Sequence, residues 1–255
     1  MKILIILPVY NEIENLKRMV EALLALPIEK DVLVIDDNSP DGTGDLAEQL
    51  SLAMTNVNVL HRAEKMGLGT AYVQGFRWAI DKKYDVIVQM DCDFSHNPAD
   101  VPRLIAEIER GADLAIGSRY VRGGKIVGWG WKRHIISRGG NIYAGLFLGF
   151  KVKDLTGGFK AWRREVLETI DLKDAYTNGY GFQIETTYKA LQAGFAVREI
   201  PITFKERESG MSKMGGSIIN EAMISVIRLC LSRNKFRKVG DLGIKEVSET
   251  IETNE

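Results

Sequence analysis

Asp91 and Asp93 stand one residue apart, directly after the apolar run Val86-Ile87-Val88-Gln89-Met90. On a regular strand alternate residues point the same way, so both carboxylates would face one side. Two such oxygen ligands suit a hard divalent cation, Mg2+ or Mn2+, which commonly takes one or two carboxylates and completes its shell with water and nucleotide phosphate. The pair equally suits a polar strand end at which Asp93 begins a turn, and the spacing alone does not separate the two. A second acidic pair, Asp36-Asp37, follows another apolar run and precedes Ser39-Pro40-Asp41-Gly42, the chemistry of a turn that enters a helix. One of these carboxylates could accept hydrogen bonds from a base or ribose; for Asp36, turn and capping work fits as well. The third cluster, Pro8-Val9-Tyr10-Asn11-Glu12, offers an aromatic ring able to stack and a carboxylate. It also suits a helix start, with Asn11 as the cap and Glu12 and Glu14 complementing the helix dipole.

Short apolar runs alternating with helical periodicity must position these groups, a pattern that predicts β-α-β units and a mainly parallel sheet covered on both faces. Strands are expected at 3–7, 32–35, 57–60, 86–90 and 114–116, and helices near 12–25, 43–52, 70–80 and 98–109. Functional groups of such sheets collect beyond the carboxyl ends of the strands, so the three clusters should face one crevice. After Ser118-Arg119-Tyr120 the alternation is lost. A segment rich in Trp, Gly and basic residues leads into a helix ending near Phe150, a further helix is expected at 183–193, and 196–204 reads as a strand. A polar loop with no apolar periodicity follows from Lys205, then a helical stripe at 217–231. The charged tail 233–255 is expected to fray.

The chain has 255 residues, enough for one sizeable core. Lys plus Arg and Asp plus Glu number 34 each, so nothing global argues for a nucleic-acid partner and any attraction to anions must be local. Cys92 and Cys230 are the only cysteines, too few for a disulfide framework or a thiolate zinc site. The apolar run at 3–7 is too short for a signal segment and no stretch reaches the length of a spanning helix, so a cytoplasmic location is expected, with any membrane met from outside. Gly67-Leu68-Gly69-Thr70-Ala71-Tyr72 has Tyr72 where a dinucleotide fingerprint needs its third glycine, which disfavours a dehydrogenase. That stretch reads instead as the start of a helix beside the nucleotide site.

Taken together, the Pro8–Glu12, Asp36–Thr43, Gly67–Tyr72 and Met90–His96 stretches resemble glycosyltransferase family 2, and within it the dolichyl- or polyprenyl-phosphate mannose synthases. The likeness continues through Gly117-Ser118-Arg119-Tyr120, Ile135-Ile136-Ser137-Arg138-Gly139, Asp154-Leu155-Thr156-Gly157-Gly158-Phe159, Arg207 and Ser212-Lys213. The resemblance implies a GT-A fold, a single domain over 1–232 with an acceptor loop at 205–216, and inverting transfer of mannose from GDP-mannose to dolichyl or polyprenyl phosphate. It also implies that Pro8, Tyr10, Glu12, Ile35 and Asp37 line the nucleotide pocket. Asp91, Cys92 through its backbone, and Asp93 would hold the diphosphate and a divalent metal, with Arg119, Arg207 and Lys213 near the donor and acceptor phosphates. Cys92 stands where alanine is usual, which matters little if only its backbone is used.

The physical chemistry fits those implications. A metal on the diphosphate stabilises the leaving group without a general acid. The acceptor is a phosphate monoester with a second pKa of about 6, already anionic at neutral pH, so no general base is required. Lys205, Arg207 and Lys213 could orient that phosphate by charge-assisted bonds, and Gly210, Gly215 and Gly216 would let the loop close after the donor binds. Trp129, Trp131, Lys132, Arg133 and Arg138 combine interfacial aromatics with cations, which suits peripheral attachment to a membrane surface; buried tryptophans beneath a solvated basic face fit as well. A small membrane subunit is a further candidate partner. A polyprenyl-phosphate glucosyltransferase using UDP-glucose and a noncatalytic nucleotide-sugar-binding protein are the alternatives.

Overall fold

The computed structural model describes residues 1–149, 152–170, 172, 180–206, 226–227 and 229–230. β1 (Ile3–Val9) sets the logic of the core. Ile3, Ile5, Leu7 and Val9 enter one apolar layer and Leu4 and Ile6 the other, so the unbroken apolar run is buried on both faces. β2 (Asp31–Asp36), β3 (Val57–His61), β4 (Val86–Gln89), β5 (Leu114–Ser118), β7 (Lys160–Arg163) and β8 (Val197–Pro201) complete a seven-stranded sheet of order β3-β2-β1-β4-β7-β5-β8. All pairings are parallel except those of β7, which runs antiparallel to both β4 and β5.

α1 (Ile13–Leu24), α2 (Thr43–Ala53) and α4 (Val101–Glu109) cover one face of the sheet; α3 (Leu68–Asp81), α6 (Arg164–Thr169) and α7 (Tyr180–Gln192) cover the other. α3 lies close because Gly75 faces the sheet: a methyl group there would come within 2.7 Å of Ile35 Cδ1 and 3.0 Å of Ile6 Cδ1. This close seat carries Tyr72, on the same helix, into the core at 0% exposure. A small second sheet pairs β6 (Lys125–Val127) with β9 (Thr203–Lys205), and α5 (Trp131–Leu148) follows β6.

Several expectations need correction. The stretch 196–204 is two strands rather than one: β8 ends at Pro201 on the sheet edge, where a missing N–H is tolerated, and β9 leaves to pair with β6. The stretch 86–90 stops as a strand at Gln89, so Asp91 and Asp93 lie in the loop beyond it. Helix 98–109 opens with a 3-10 turn at Pro98–Asp100, capped by the Asn97 side chain, before α4 begins. β7 and β6 were not anticipated. The loop beyond Glu206, most of helix 217–231 and the tail 233–255 lie outside the described residues; residues 226–227 and 229–230 are helical, and Val226 and Leu229 pack with Leu148 and Tyr188.

Candidate active site

Because β2, β1 and β4 are adjacent and parallel, their carboxyl ends share one edge of the sheet, and Asp37, Tyr10 with Glu12, and Asp91 with Asp93 follow in that order. Asp36 does turn work: its carboxylate accepts from Ser39 Oγ at 2.5 Å and from the Ser39 amide. Asp37, 7% exposed, accepts from Arg62 Nη1 at 2.7 Å, and Arg62 Nη2 donates to Thr70 Oγ1 at 2.6 Å at the start of α3. Burial raises the Asp37 carboxyl above its ordinary value while the Arg62 guanidinium pulls it back. Arg62 was not anticipated, since a lone arginine after a strand announces nothing until its partner, distant in sequence, is known.

Asn11 is not the cap of α1. Its backbone is left-handed (φ 58°), a region asparagine tolerates, and its N–H donates to Ser39 Oγ at 3.1 Å. The first amides of α1 are satisfied from the neighbouring loop instead, Glu12 N–H by Thr43 Oγ1 at 3.0 Å and Ile13 N–H by Asp41 Oδ2 at 3.3 Å. The β1 and β2 loops thus hold each other. Lys65 Nζ sits 3.9 Å from the centre of the Tyr10 ring. Pro8 is half-buried at the end of β1, and the Ile35 side chain is wholly buried beneath α3.

In the loop beyond β4, Asp93 Oδ1 accepts the Ser95 amide at 3.0 Å, a local turn, while Asp91 keeps 38% of its side chain exposed. Burial and the Glu12, Asp93 and Asp91 charges push the Cys92 thiol well above its ordinary value, so it is not a thiolate ligand. His96 Nδ1 lies 3.9 Å from Asp91 Oδ2, but its ring is stacked on Phe159 and burial lowers its pKa to about 4, so it is a neutral packing group at pH 7. The groups that could hold a cation here would be the two hard carboxylates, Asp91 and Asp93. Among the described residues no group of three or more His, Cys, Asp or Glu could hold a metal ion.

On the basic side, Arg119 follows β5 and closes its fork on Asp154, with Nε donating to Oδ2 at 2.8 Å and Nη2 to Oδ1 at 2.6 Å. Asp154 is wholly buried and Arg119 7% exposed. Arg119 Nη2 also reaches Thr156 Oγ1 at 2.8 Å, and Asn141 of α5 bonds the same hydroxyl at 3.0 Å, so the ion pair ties α5 to the sheet. The Lys205 amide donates to Ser95 O at 3.1 Å, which sets the end of β9 against the turn that follows Asp93. Arg207 and Lys213 lie outside the described residues.

Beneath the site runs a buried polar chain that was not foreseen. Trp162 Nε1 donates to Gln89 Oε1, and Gln89 Nε2 donates to Gln183 Oε1, both at 2.8 Å. Lys160 Nζ donates to Gln183 O, Gln183 Oε1 and Thr187 Oγ1, each at 2.9 Å. Desolvation lowers the pKa of Lys160 to about 7.

The family model for glycosyl transferase family 2 matches residues 4–171. The chain is 50% identical over 224 residues to the polyprenol monophosphomannose synthase of Mycolicibacterium smegmatis, covering 88% of this chain and 84% of that protein. It is 48% identical over 228 residues to the undecaprenyl-phosphate mannosyltransferase of Micrococcus luteus, covering 89% and 93%. Among solved structures it resembles glucosyl-3-phosphoglycerate synthase from Mycobacterium tuberculosis in complex with Mn2+, UDP-glucose and phosphoglyceric acid, with a TM-score of 0.66, 19% identity and coverage of 90% and 79%. It also resembles the mannosyltransferase PcManGT from Pyrobaculum calidifontis in complex with GDP-Man and Mn2+, with a TM-score of 0.55, 13% identity and coverage of 94% and 73%.

Proposed function

The chain belongs to glycosyl transferase family 2 and is a glycosyltransferase of the GT-A fold, and on that premise we propose that it transfers mannose from GDP-mannose to a polyprenyl phosphate with inversion. The observation that carries the reading is the shared edge: Asp37, held by Arg62, and the open Asp91 beside Asp93 follow adjacent parallel strands, in a chain about half identical to proteins named for mannosyl transfer to polyprenyl lipids. In this reading Tyr10, Glu12, Pro8 and Asp37 border the nucleoside, Ile35 offers only its main chain because its side chain is buried beneath α3, and Asp91, Asp93 and the Cys92 backbone hold the diphosphate with Mg2+ or Mn2+. The bound cation supplies charge stabilisation on the departing diphosphate.

The acceptor phosphate is anionic at neutral pH and attacks the sugar's anomeric carbon from the side opposite the diphosphate, so no residue need remove a proton. Arg119, Arg207 and Lys213 are assigned to the phosphates, with Arg119 locked by Asp154 into a fixed orientation. Transfer to a short polyprenyl phosphate, comparing GDP-mannose with UDP-glucose in the presence and absence of Mn2+, tests the reading. Mannose transfer that needs the metal is expected. Glucose transfer would reassign the donor, and metal-dependent nucleotide binding without transfer would make the protein a sensor.

The lipid acceptor also requires a route from a bilayer. No helix among the described residues is long and apolar enough to cross a membrane. α5 nevertheless exposes Trp131, Ile135, Ile142 and Leu146 at 68%, 63%, 56% and 77%, residues that helical spacing puts on one stripe. Its opposite side packs inward through Asn141, Ala144 and Leu148, and it carries Lys132, Arg133 and Arg138 with no acidic residue. This composition supports peripheral attachment through α5, at the cytoplasmic face of a membrane.

A further inference from the structure

Among the described residues, three buried hydrogen-bonding atoms near Asp91 have no hydrogen-bond partner: Gln183 Nε2, the Tyr72 hydroxyl and His96 Nδ1, the last on the ring packed against Phe159. Gln183 is 3% exposed and Tyr72 0%. Buried polar groups are almost always paired, so orphans gathered at one place need a reason.

The orientation of the Gln183 amide follows from chemistry alone. Trp162 Nε1 can only donate, so Gln89 must receive it on oxygen and present its own NH2 to Gln183. Lys160, which also donates here, meets the same Gln183 oxygen. Two donors on Oε1 leave Nε2 turned the other way, and the direction is shown by Gly158: a methyl group there would lie 3.6 Å from Gln183 Nε2 and 3.9 Å from Asp91 Oδ2. The amide nitrogen and the open carboxylate thus border one gap, which glycine keeps clear. Tyr72 stacks on Phe182, the neighbour of Gln183, with ring centres 6.1 Å apart. Burial, with the charges of Asp91 and Asp93, holds its phenol well above the ordinary value, so it remains an O–H donor.

The sheet order says which part of a ligand meets these donors. Along the carboxyl edge the sequence is β2, β1, β4, then the segment that enters β7. A nucleoside at the ends of β2 and β1 and a diphosphate at Asp91 beyond β4 leave the next position, beside Gly158, for the sugar. We propose that Gln183 Nε2 and the Tyr72 hydroxyl donate hydrogen bonds to hydroxyl oxygens of the donor hexose and so help to set which sugar is accepted. This rests on the nucleotide-sugar reading given above. A site built to hydrogen-bond a particular hydroxyl discriminates strongly, because a wrong sugar leaves its buried donors unpaired.

Gln183→Glu and Tyr72→Phe test it on the full chain. The first keeps an oxygen for Gln89 and Lys160 while replacing the outward donor with an acceptor; the second keeps the aromatic stack. Calorimetry with Mn2+ gives the Kd of GDP-mannose relative to GDP for wild type and each variant, and the ligand-free melting temperature is recorded alongside. The expected result is a ratio raised about five-fold or more in each variant, from weaker binding of the sugar nucleotide with GDP affinity preserved, and a Tyr72→Phe melting temperature no lower than wild type. An unchanged ratio in either variant, or a lower melting temperature in Tyr72→Phe, overturns the proposal. If wild type binds UDP-glucose and not GDP-mannose, the donor assignment fails separately, and the same ratio read on UDP-glucose against UDP decides the two residues.

Discussion

At the ends of β1, β2 and β4, each candidate donor-binding carboxylate follows a buried strand within a few residues, and loops one strand apart brace one another through Ser39, Asp41 and Thr43. Around β6, β9 and α5 the arrangement differs. Cations dominate, apolar side chains stand in solvent, and attachment to the core runs through Arg119–Asp154, the Asn141–Thr156 bonds and a small apolar cluster in which Ala144 and Leu148 meet Leu155, Ile184 and Tyr188. The acidic region is fixed by the sheet itself; the basic region is pinned to it by a few buried polar contacts and one small apolar cluster. A donor with a rigid nucleotide suits the first, and a lipid phosphate arriving from a bilayer suits the second.

The contrast can be broken most severely at its pin. Asp154→Ala leaves the Arg119 guanidinium buried without its counter-charge, and removing one member of such a pair costs about 3–5 kcal/mol; urea denaturation should show a loss of that size. The floor beneath the acidic region offers a subtler probe. Lys160 has a folded pKa of about 7, below its unfolded value of 10.5, so between those values the unfolded state binds more protons and stability rises with pH. Relative to Lys160→Met, which lacks this titration, wild-type stability should increase by about 2–3 kcal/mol from pH 7 to pH 9, and a flat difference would refute it. The smallest effect is expected at the bilayer. Trp131→Ser with Leu146→Ser should lower partition onto anionic liposomes about ten-fold or more, measured by flotation, while leaving transfer to a short soluble acceptor unchanged.

The acidic region was legible because its signals are local. An apolar run ending in Asp-Cys-Asp or Asp-Asp-Asn-Ser-Pro-Asp-Gly declares both the strand and the turn that follows. What escaped depends on contacts between distant segments. β7 has four residues, one a wholly buried lysine, and inserts antiparallel between strands that precede it in the chain; no periodicity at 160–163 announces that. Gln183 read as one polar position of a helix, and its meaning appears only once Gln89 and Lys160 converge on it. Arg119 was expected at the phosphates by resemblance, but its tight hold on Asp154 depends on a chain crossing that residue types do not reveal.

The division between a metal-holding donor side and a phosphate-capturing acceptor side is tested most directly by one paired measurement: GDP-mannose affinity with and without Mn2+, and transfer to polyprenyl phosphate, for Asp93→Ala and Arg207→Ala side by side. The account predicts that Asp93→Ala loses both the Mn2+-dependent gain in affinity and transfer. Arg207→Ala should keep the Mn2+-dependent affinity while transfer falls by about 10²-fold or more. Mn2+-dependent binding that survives in Asp93→Ala, or undiminished turnover in Arg207→Ala, would contradict it.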